Sequence, residues 1–324
     1  MGHEQMKIAF WGTSEFGGSV KNARFLRRLI ASGVRPAVVV TASDSPRERG
    51  QAFGPLAVKS AALESGIPVL QPVSLKGFSE ELAKREIDLS LVAAYGKILP
   101  AEVLAVPRSG SLNVHPSLLP RWRGPTPIQA ALLAGDPVTG VTVIQMDAKM
   151  DHGPIIAQRE FPLGDRAWTA PELSDALTDL GVVLLLEILE PWVLGKIVPQ
   201  PQDHEAATYS RILKREDGHI DWVKPAAEIE RMVRAFQPWP GAYTFWQRNG
   251  NAVRLAIERA GVENLESGIQ NLESGTAFER NGGLGIRCGE GALAVERLKP
   301  EGGKSMSGED FLRGHPGIVG AILK

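Results

Sequence analysis

A chain of 324 residues is long for one compact domain and comfortable for two. Its composition is that of an ordinary globular protein, and a net charge of −1 argues against a globally basic nucleic-acid surface. Residues 1–208 carry −2 and residues 209–324 carry +1, so any polyanionic partner has to be met by local clusters. A single cysteine, Cys288, excludes an intramolecular disulfide and suits a reducing compartment. The most apolar run, Val182 to Leu194, is broken by Glu187, Glu190 and Pro191 and is too short to span a bilayer. With no secretory signal in the short tail Met1–Met6, the expectation is a cytoplasmic protein without a membrane partner.

In chain order, Lys7-Ile-Ala-Phe-Trp11 and Ala37-Val-Val-Val-Thr41 are strand-like, with helical spacing in Arg24-Phe-Leu-Arg-Arg-Leu-Ile30 between them. A helix near Leu56–Ser65, a strand Pro68–Leu70, a helix Glu80–Arg85 and a strand Ile87–Ala94 follow. Next come a strand around Leu112-Asn-Val-His115, a helix Pro127–Ala134 and a strand Val141–Met146. Such alternation predicts a mostly parallel α/β sheet with helices on both faces and ligands outside the carboxyl ends of the strands. Gly12, Gly17 and Gly18 make neither a dinucleotide fingerprint nor a phosphate loop, and a tight strand-to-helix turn accounts for them.

An amphipathic helix is expected from Glu172 to Leu194, followed by the proline-rich, polar stretch Pro199-Gln-Pro201-Gln-Asp-His. The divisions expected are a first domain over 6–198, a linker over 199–208 and a second domain over 209–324. In the last third a helix near Ala226–Phe236 leads into Gln237-Pro-Trp-Pro-Gly241. Short strands (242–247, 252–259, 285–288, 292–298) then alternate with glycine turns, the pattern of a small barrel. The pentapeptide Asn264-Leu-Glu-Ser-Gly268 recurs as Asn271-Leu-Glu-Ser-Gly275, and a duplicated surface loop explains it.

The most informative stretch is Ser111-Leu-Asn-Val-His-Pro-Ser-Leu-Leu-Pro-Arg-Trp-Arg-Gly124. Residues two apart in a strand share a face, so Asn113 and His115 present an amide and an imidazole side by side until Pro116 ends the pairing. Asp151 follows a further strand. Amide, imidazole and carboxylate together suit acyl transfer: an oxyanion donor, a proton carrier and an orienting base. Alone, His115 reads as a core histidine and Asn113 as a turn former; the set carries the functional reading. The remaining histidines are scattered, so no metal is expected, and His152 reads as a loop residue because adjacent side chains diverge.

These residues, with Pro127-Ile-Gln129, Ala134-Gly-Asp136, Thr139-Gly-Val-Thr142 and Gln145-Met-Asp147, resemble the folate-dependent formyltransferases, from Lys7 to Leu312. The resemblance implies a Rossmann-like catalytic domain and an OB-like C-terminal β-barrel. It implies Asn113, His115 and Asp151 as catalytic residues, with 10-formyltetrahydrofolate as co-substrate. Ser117, Leu118, Leu119 and Pro120 would line the folate site, as would Tyr95 and Gly96, whose backbone groups suit a pterin edge. Ser117–Pro120 also reads simply as a buried turn.

The branch most similar formylates charged initiator tRNA. Members of that branch usually carry lysines directly after Arg49-Gly50, where this chain has Gln51-Ala-Phe53. Arg49, Arg121, Arg123, Arg211, Lys214 and Arg215 are the remaining candidates for a phosphate-tracking path, although a solvated surface explains any one of them. The rival acceptor is an amino-sugar nucleotide; a folate- or RNA-binding protein without activity is the rival from another class. A monomer is expected.

Overall fold

The computed structural model describes residues 6–13, 23–44, 56–263 and 270–324. Contacts divide the chain into two units, one formed by Met1–Ala131, Pro137–Asp165 and Pro171–Ile212, the other by Leu132–Asp136, Arg166–Ala170 and Leu213–Lys324.

In the first unit, β1 (Ile8–Trp11), β2 (Val38–Val40), β3 (Val69–Leu70), β4 (Leu89–Val92) and β5 (Ser111–His115) run parallel, and β6 (Val138–Gln145) and β7 (Ile155–Pro162) close the edge as an antiparallel hairpin. The order is β3-β2-β1-β4-β5-β6-β7. Every residue of β1, β2 and β4 is buried, which is why these strands read as continuous apolar runs: a parallel sheet has helices on its faces and little water. Helices α1 (Arg24–Ala31), α2 (Ala57–Glu64), α3 (Phe78–Ala83), α4 (Ala101–Leu104), α5 (Pro127–Ala134) and α6 (Ala170–Val193) complete the alternation. One core cluster joins Trp11, Val38, Val40, Leu82, Val92 and Tyr95. The Trp11 indole donates to Ser90 Oγ at 3.0 Å, so its one polar atom is satisfied inside that core.

The mostly parallel sheet expected from the sequence is present. The strand β7 and the four-residue α4 were not expected. The chain order reverses between β1 and β4, where an open α/β sheet has its ligand crevice.

In the second unit α7 (Ala226–Ala235) precedes an antiparallel sheet of β8 (Ala242–Arg248), β9 (Asn251–Glu263), β10 (Ala277–Arg280), β11 (Gly283–Arg287), β12 (Ala292–Pro300) and β13 (Met306–Ser307), with α8 (Gly308–Gly314) at the end. The sheet curls as a half-barrel, in keeping with the OB-like expectation. Its core gathers Ile220, Trp222, Ile229, Trp246, Leu293 and Phe311. Cys288 belongs to the same core, and burial pushes its thiol up to about 12. The first copy of the repeated pentapeptide lies outside the described residues.

Candidate active site

Strand β5 carries Asn113 and His115 to the carboxyl end of the sheet, in register with Val92 of β4 and with Ile144 and Thr142 of β6. Asp151 arrives by a different route. Because β6 runs antiparallel to β5, its last residues lie beside the start of β5, and the β6–β7 loop doubles back to bring the carboxylate to the other end. Asn113 Nδ2 donates to Asp151 Oδ1 at 3.3 Å, and His115 Nδ1 stands 3.6 Å from the same oxygen. The backbone N–H of Gly124 donates to Asp151 Oδ2 at 2.8 Å. Both carboxylate oxygens are therefore engaged, and the sequence-predicted set is brought together.

His115 is only 5% exposed, and its Nε2 lies 2.9 Å from the carbonyl oxygen of Trp122. A carbonyl only accepts, so Nε2 holds the hydrogen and Nδ1 is the atom left to exchange a proton beside Asp151. Asn113 has two amide hydrogens; with one aimed at Asp151, the other is available to a developing oxyanion.

The tip Pro120–Gly124 is held from behind by the segment after α6. Thr208 Oγ1 accepts from the N–H of Trp122 at 2.9 Å, Thr208 O accepts from the N–H of Arg123, and the N–H of Ser210 donates to Arg123 O at 2.7 Å. Gly124 sits at φ +103, and a Cβ there would stand 2.6 Å from Ser210 O. Only glycine fits this turn while its N–H points at Asp151.

Beside the three residues lies a cavity of about 280 Å³. Val92, Ile98, Leu99, Met146 and Met150 give it apolar walls; Lys97, Asp147 and Lys149 supply charge. Tyr95 and Gly96 line it as well. Tyr95 is 3% exposed, and its hydroxyl has no hydrogen-bond partner among the described residues. Burial pushes that phenol up to about 12, so it remains a neutral donor and acceptor at ordinary pH. An apolar slot with sparse polar groups fits a flat heterocycle.

Ser117, Leu118, Leu119 and Pro120 do not line the cavity. Ser117 Oγ donates to Arg121 O at 2.6 Å, Thr142 Oγ1 donates to Ser117 O and accepts from the N–H of Leu119, and Gln158 donates to Leu119 O. This is the buried turn of the plainer reading: it fixes the tip that carries Trp122 and Gly124.

The basic residues divide. Arg121 is exposed and lies over the Trp122 ring at 4.6 Å. Arg211 is exposed in the first unit, and Lys214 and Arg215 are exposed in the second. Arg49 lies outside the described residues. Arg123 is a correction. It is 2% exposed, with its guanidinium on Gln202, His204 and Tyr209, and a group so enclosed does not meet a phosphate.

His152, read from the sequence as a loop residue, lies 2.6 Å from Asp147 Oδ2 through Nδ1 and stacks on His204 at 3.9 Å. No local pattern in the sequence announces that pair. The cavity residues Met146, Asp147, Lys149 and Met150 were also missed; their position on the loop bearing Asp151 was the available signal.

Comparison with known proteins shows the family of the chain. A family described as formyl transferase matches residues 6–189, and one described as formyl transferase, C-terminal domain, matches residues 212–316. A protein named methionyl-tRNA formyltransferase from Roseiflexus sp. (strain RS-1) is 42% identical over 312 residues, 95% of this chain and 92% of the relative. Its namesake from Methylococcus capsulatus is 41% identical over 96% of this chain and 97% of the relative. Among solved structures, HypX from Aquifex aeolicus in complex with tetrahydrofolic acid has a TM-score of 0.63 at 20% identity, covering 95% of this chain and 47% of HypX. An N-formyltransferase from Helicobacter canadensis, solved with folinic acid and dTDP-3-aminofucose, has a TM-score of 0.62 at 17% identity, covering 90% of this chain and 99% of that one. At such identities these two structures speak to the fold alone. The sequence matches go further: this chain belongs to the formyl transferase family, among relatives named methionyl-tRNA formyltransferase.

Proposed function

We propose that the chain transfers the formyl group of 10-formyltetrahydrofolate to the amino group of methionyl-tRNA, with the charged initiator tRNA as acceptor. The observation that carries the proposal is the convergence of Asn113, His115 and Gly124 on the Asp151 carboxylate beside an apolar cavity. The neutral amine attacks the formyl carbon, and the carbonyl oxygen gains charge facing the second N–H of Asn113. As the new C–N bond forms, the bond to the folate nitrogen breaks. The proton leaves the attacking nitrogen for that leaving nitrogen by way of His115 Nδ1 and Asp151. Tyr95, Gly96 and the apolar walls hold the folate; Arg49, Arg121, Arg211, Lys214 and Arg215 track the tRNA.

The same reading has the protein act as a cytoplasmic monomer, with catalysis assigned to residues 6–198 and tRNA contacts shared with residues 209–324. The test offers one preparation the same folate donor with charged initiator tRNA in one arm and an amino-sugar nucleotide in the other. Formylmethionyl product in the first arm alone is expected. Product only in the second would replace the acceptor, and product in neither would remove the activity.

A further inference from the structure

Asp151 is held in an unusual place. Its φ is +50, in the left-handed region that few non-glycine residues occupy, although aspartate enters it more readily than most. Its side chain is fixed by Asn113 and Gly124; its backbone is fixed by Gln202. Gln202 Nε2 donates to Asp151 O at 2.9 Å and to Gly153 O at 2.7 Å. Gln202 Oε1 accepts from Arg123 Nε at 3.2 Å and from Arg123 Nη2 at 2.7 Å. The amide has one workable orientation, since a flip would set its oxygen against two carbonyls and its hydrogens against the guanidinium. Gln202 is 5% exposed and Arg123 is 2% exposed.

Among the described residues no carboxylate pairs with this buried guanidinium. Its other acceptors are neutral: Tyr209 Oη at 3.3 Å and His204 Nδ1 at 2.9 Å. His204 can accept only while Nδ1 is unprotonated. Its ring stacks at 3.9 Å and 9° on His152, whose own Nδ1 faces Asp147. The charged or titratable groups around His204 are His152, Arg123, Lys149 and Asp147. Desolvation and then the first three of these hold His204 below the ordinary histidine range, with Asp147 opposing.

We propose that Gln202 and Arg123 are positioning residues for the transfer reaction, an amide–guanidinium clamp that keeps the Asp151 backbone in its left-handed turn and that is complete only while His204 is neutral. The proposal rests on the reading of Asp151 as catalytic. Neither clamp residue lines the cavity, so their effect is on turnover and not on folate affinity. Protonation of His204 sets two cations 2.9 Å apart, withdraws the Arg123 acceptor and loosens the clamp.

The test measures kcat, the folate KM and Tm on the full chain from about pH 4.5 to 8.5, a range extended on the acid side because His204 is held below the ordinary histidine value. Gln202→Leu removes the clamp. Gln202→Glu keeps the acceptor for Arg123 but turns an oxygen toward the Asp151 and Gly153 carbonyls. Each is expected to lower kcat about tenfold or more and change the folate KM less than about threefold, as misplacement of a catalytic group does. His204→Asn offers Arg123 an oxygen that takes no proton. The ratio of wild-type to His204→Asn kcat cancels titration of the substrate amine, and it should fall about threefold or more between pH 8 and about pH 4.5, below the lowered range in which His204 titrates.

A folded Gln202 variant with kcat within about threefold of wild type overturns the clamp, and a flat ratio overturns the role of His204. If the Gln202 variants do not fold, the ratio decides alone. Asp151→Asn serves as the separate control: full turnover there would sink the reading of the site, whereas an inactive Asp151→Asn beside an active Gln202→Leu sinks only the clamp.

Discussion

Asn113 Nδ2 stands 3.3 Å from Asp151 Oδ1, so the amide assigned to the oxyanion is itself aimed by the carboxylate assigned to the proton. Asn113→Ala is expected to cost about a hundredfold in kcat, on the order of 3 kcal/mol for one lost oxyanion donor. Asp151→Asn misdirects that donor as well as removing the charge. The double variant should therefore lose less than the sum of the two single losses. A double-mutant cycle on kcat measures this; strict additivity would mean that the two act independently, and a loss below about threefold for Asn113→Ala would make the amide structural.

His115→Ala should lower kcat by about a hundredfold or more, the usual share of a general acid or base, and leave folate binding within a few-fold. The ring reaches the cavity edge but is held by Trp122 and Asp151, and transition-state roles appear in kcat before ground-state affinity. Direct titration of folate binding by fluorescence, alongside turnover, separates the two. Weakened binding with intact kcat would reassign His115 to the folate pocket.

Much of this architecture was legible. Strands β1, β2 and β4 are buried on both faces and so read as apolar runs, and β5 showed its two-residue period through Asn113 and His115. Strand β7 was hidden because Gln158, Arg159 and Glu160 interrupt its apolar pattern on an edge with one wet face. Asp151 was legible as a residue type but not as a position: its place depends on a loop that reverses past β6. Arg123 looked like an exposed basic tip because its acceptors, Gln202 and His204, lie 79 and 81 residues away. Burial of a long charged side chain depends on such distant partners, which no local window contains.

Gly124→Ala is expected to lower both stability and activity. The residue is at φ +103, and an added Cβ would meet the Ser210 carbonyl at 2.6 Å. A non-glycine residue forced into such a conformation costs about 1–3 kcal/mol, before any shift of Ser210. The shift itself moves the N–H that holds Asp151 Oδ2. Chemical denaturation reads the first effect and kcat the second. An unchanged midpoint would show that the turn can reopen without cost.

Asp179 gives a pH prediction away from the site. Burial alone would raise its carboxyl, but hydrogen bonds from Arg24 and Arg28 outweigh it and hold the pKa below the ordinary carboxylate range. A group lowered in the folded state adds stability above its unfolded pKa and loses it as pH falls through the folded one. Asp179→Asn should therefore lower Tm near neutral pH, with the gap to wild type closing below about pH 4. A gap that stays constant down to acid pH would mean the ion pairs contribute nothing. Its size should also shrink in high salt, because the pairs are partly exposed.

The acceptor leaves its mark in salt. A tRNA releases counterions as cations neutralise its phosphates, so log kcat/KM should fall against log salt by about 0.7 to 0.9 per phosphate engaged, provided binding limits kcat/KM. An amino-sugar nucleotide presents only a diphosphate, and its slope should be shallow. With charges of −2 and +1 on the two parts of the sequence, contacts must come from a few side chains, roughly three to five by the same counting. Arg121, Arg211, Lys214 and Arg215 are exposed and are the candidates among the described residues. Replacing any one with alanine should reduce the slope by about one and raise KM for tRNA more than for folate. Arg123→Ala should leave the slope alone and act on kcat and stability, since its guanidinium is spent on Gln202, His204 and Tyr209. A flat salt profile with charged tRNA, unchanged when the four exposed residues are replaced together, would falsify the tRNA acceptor.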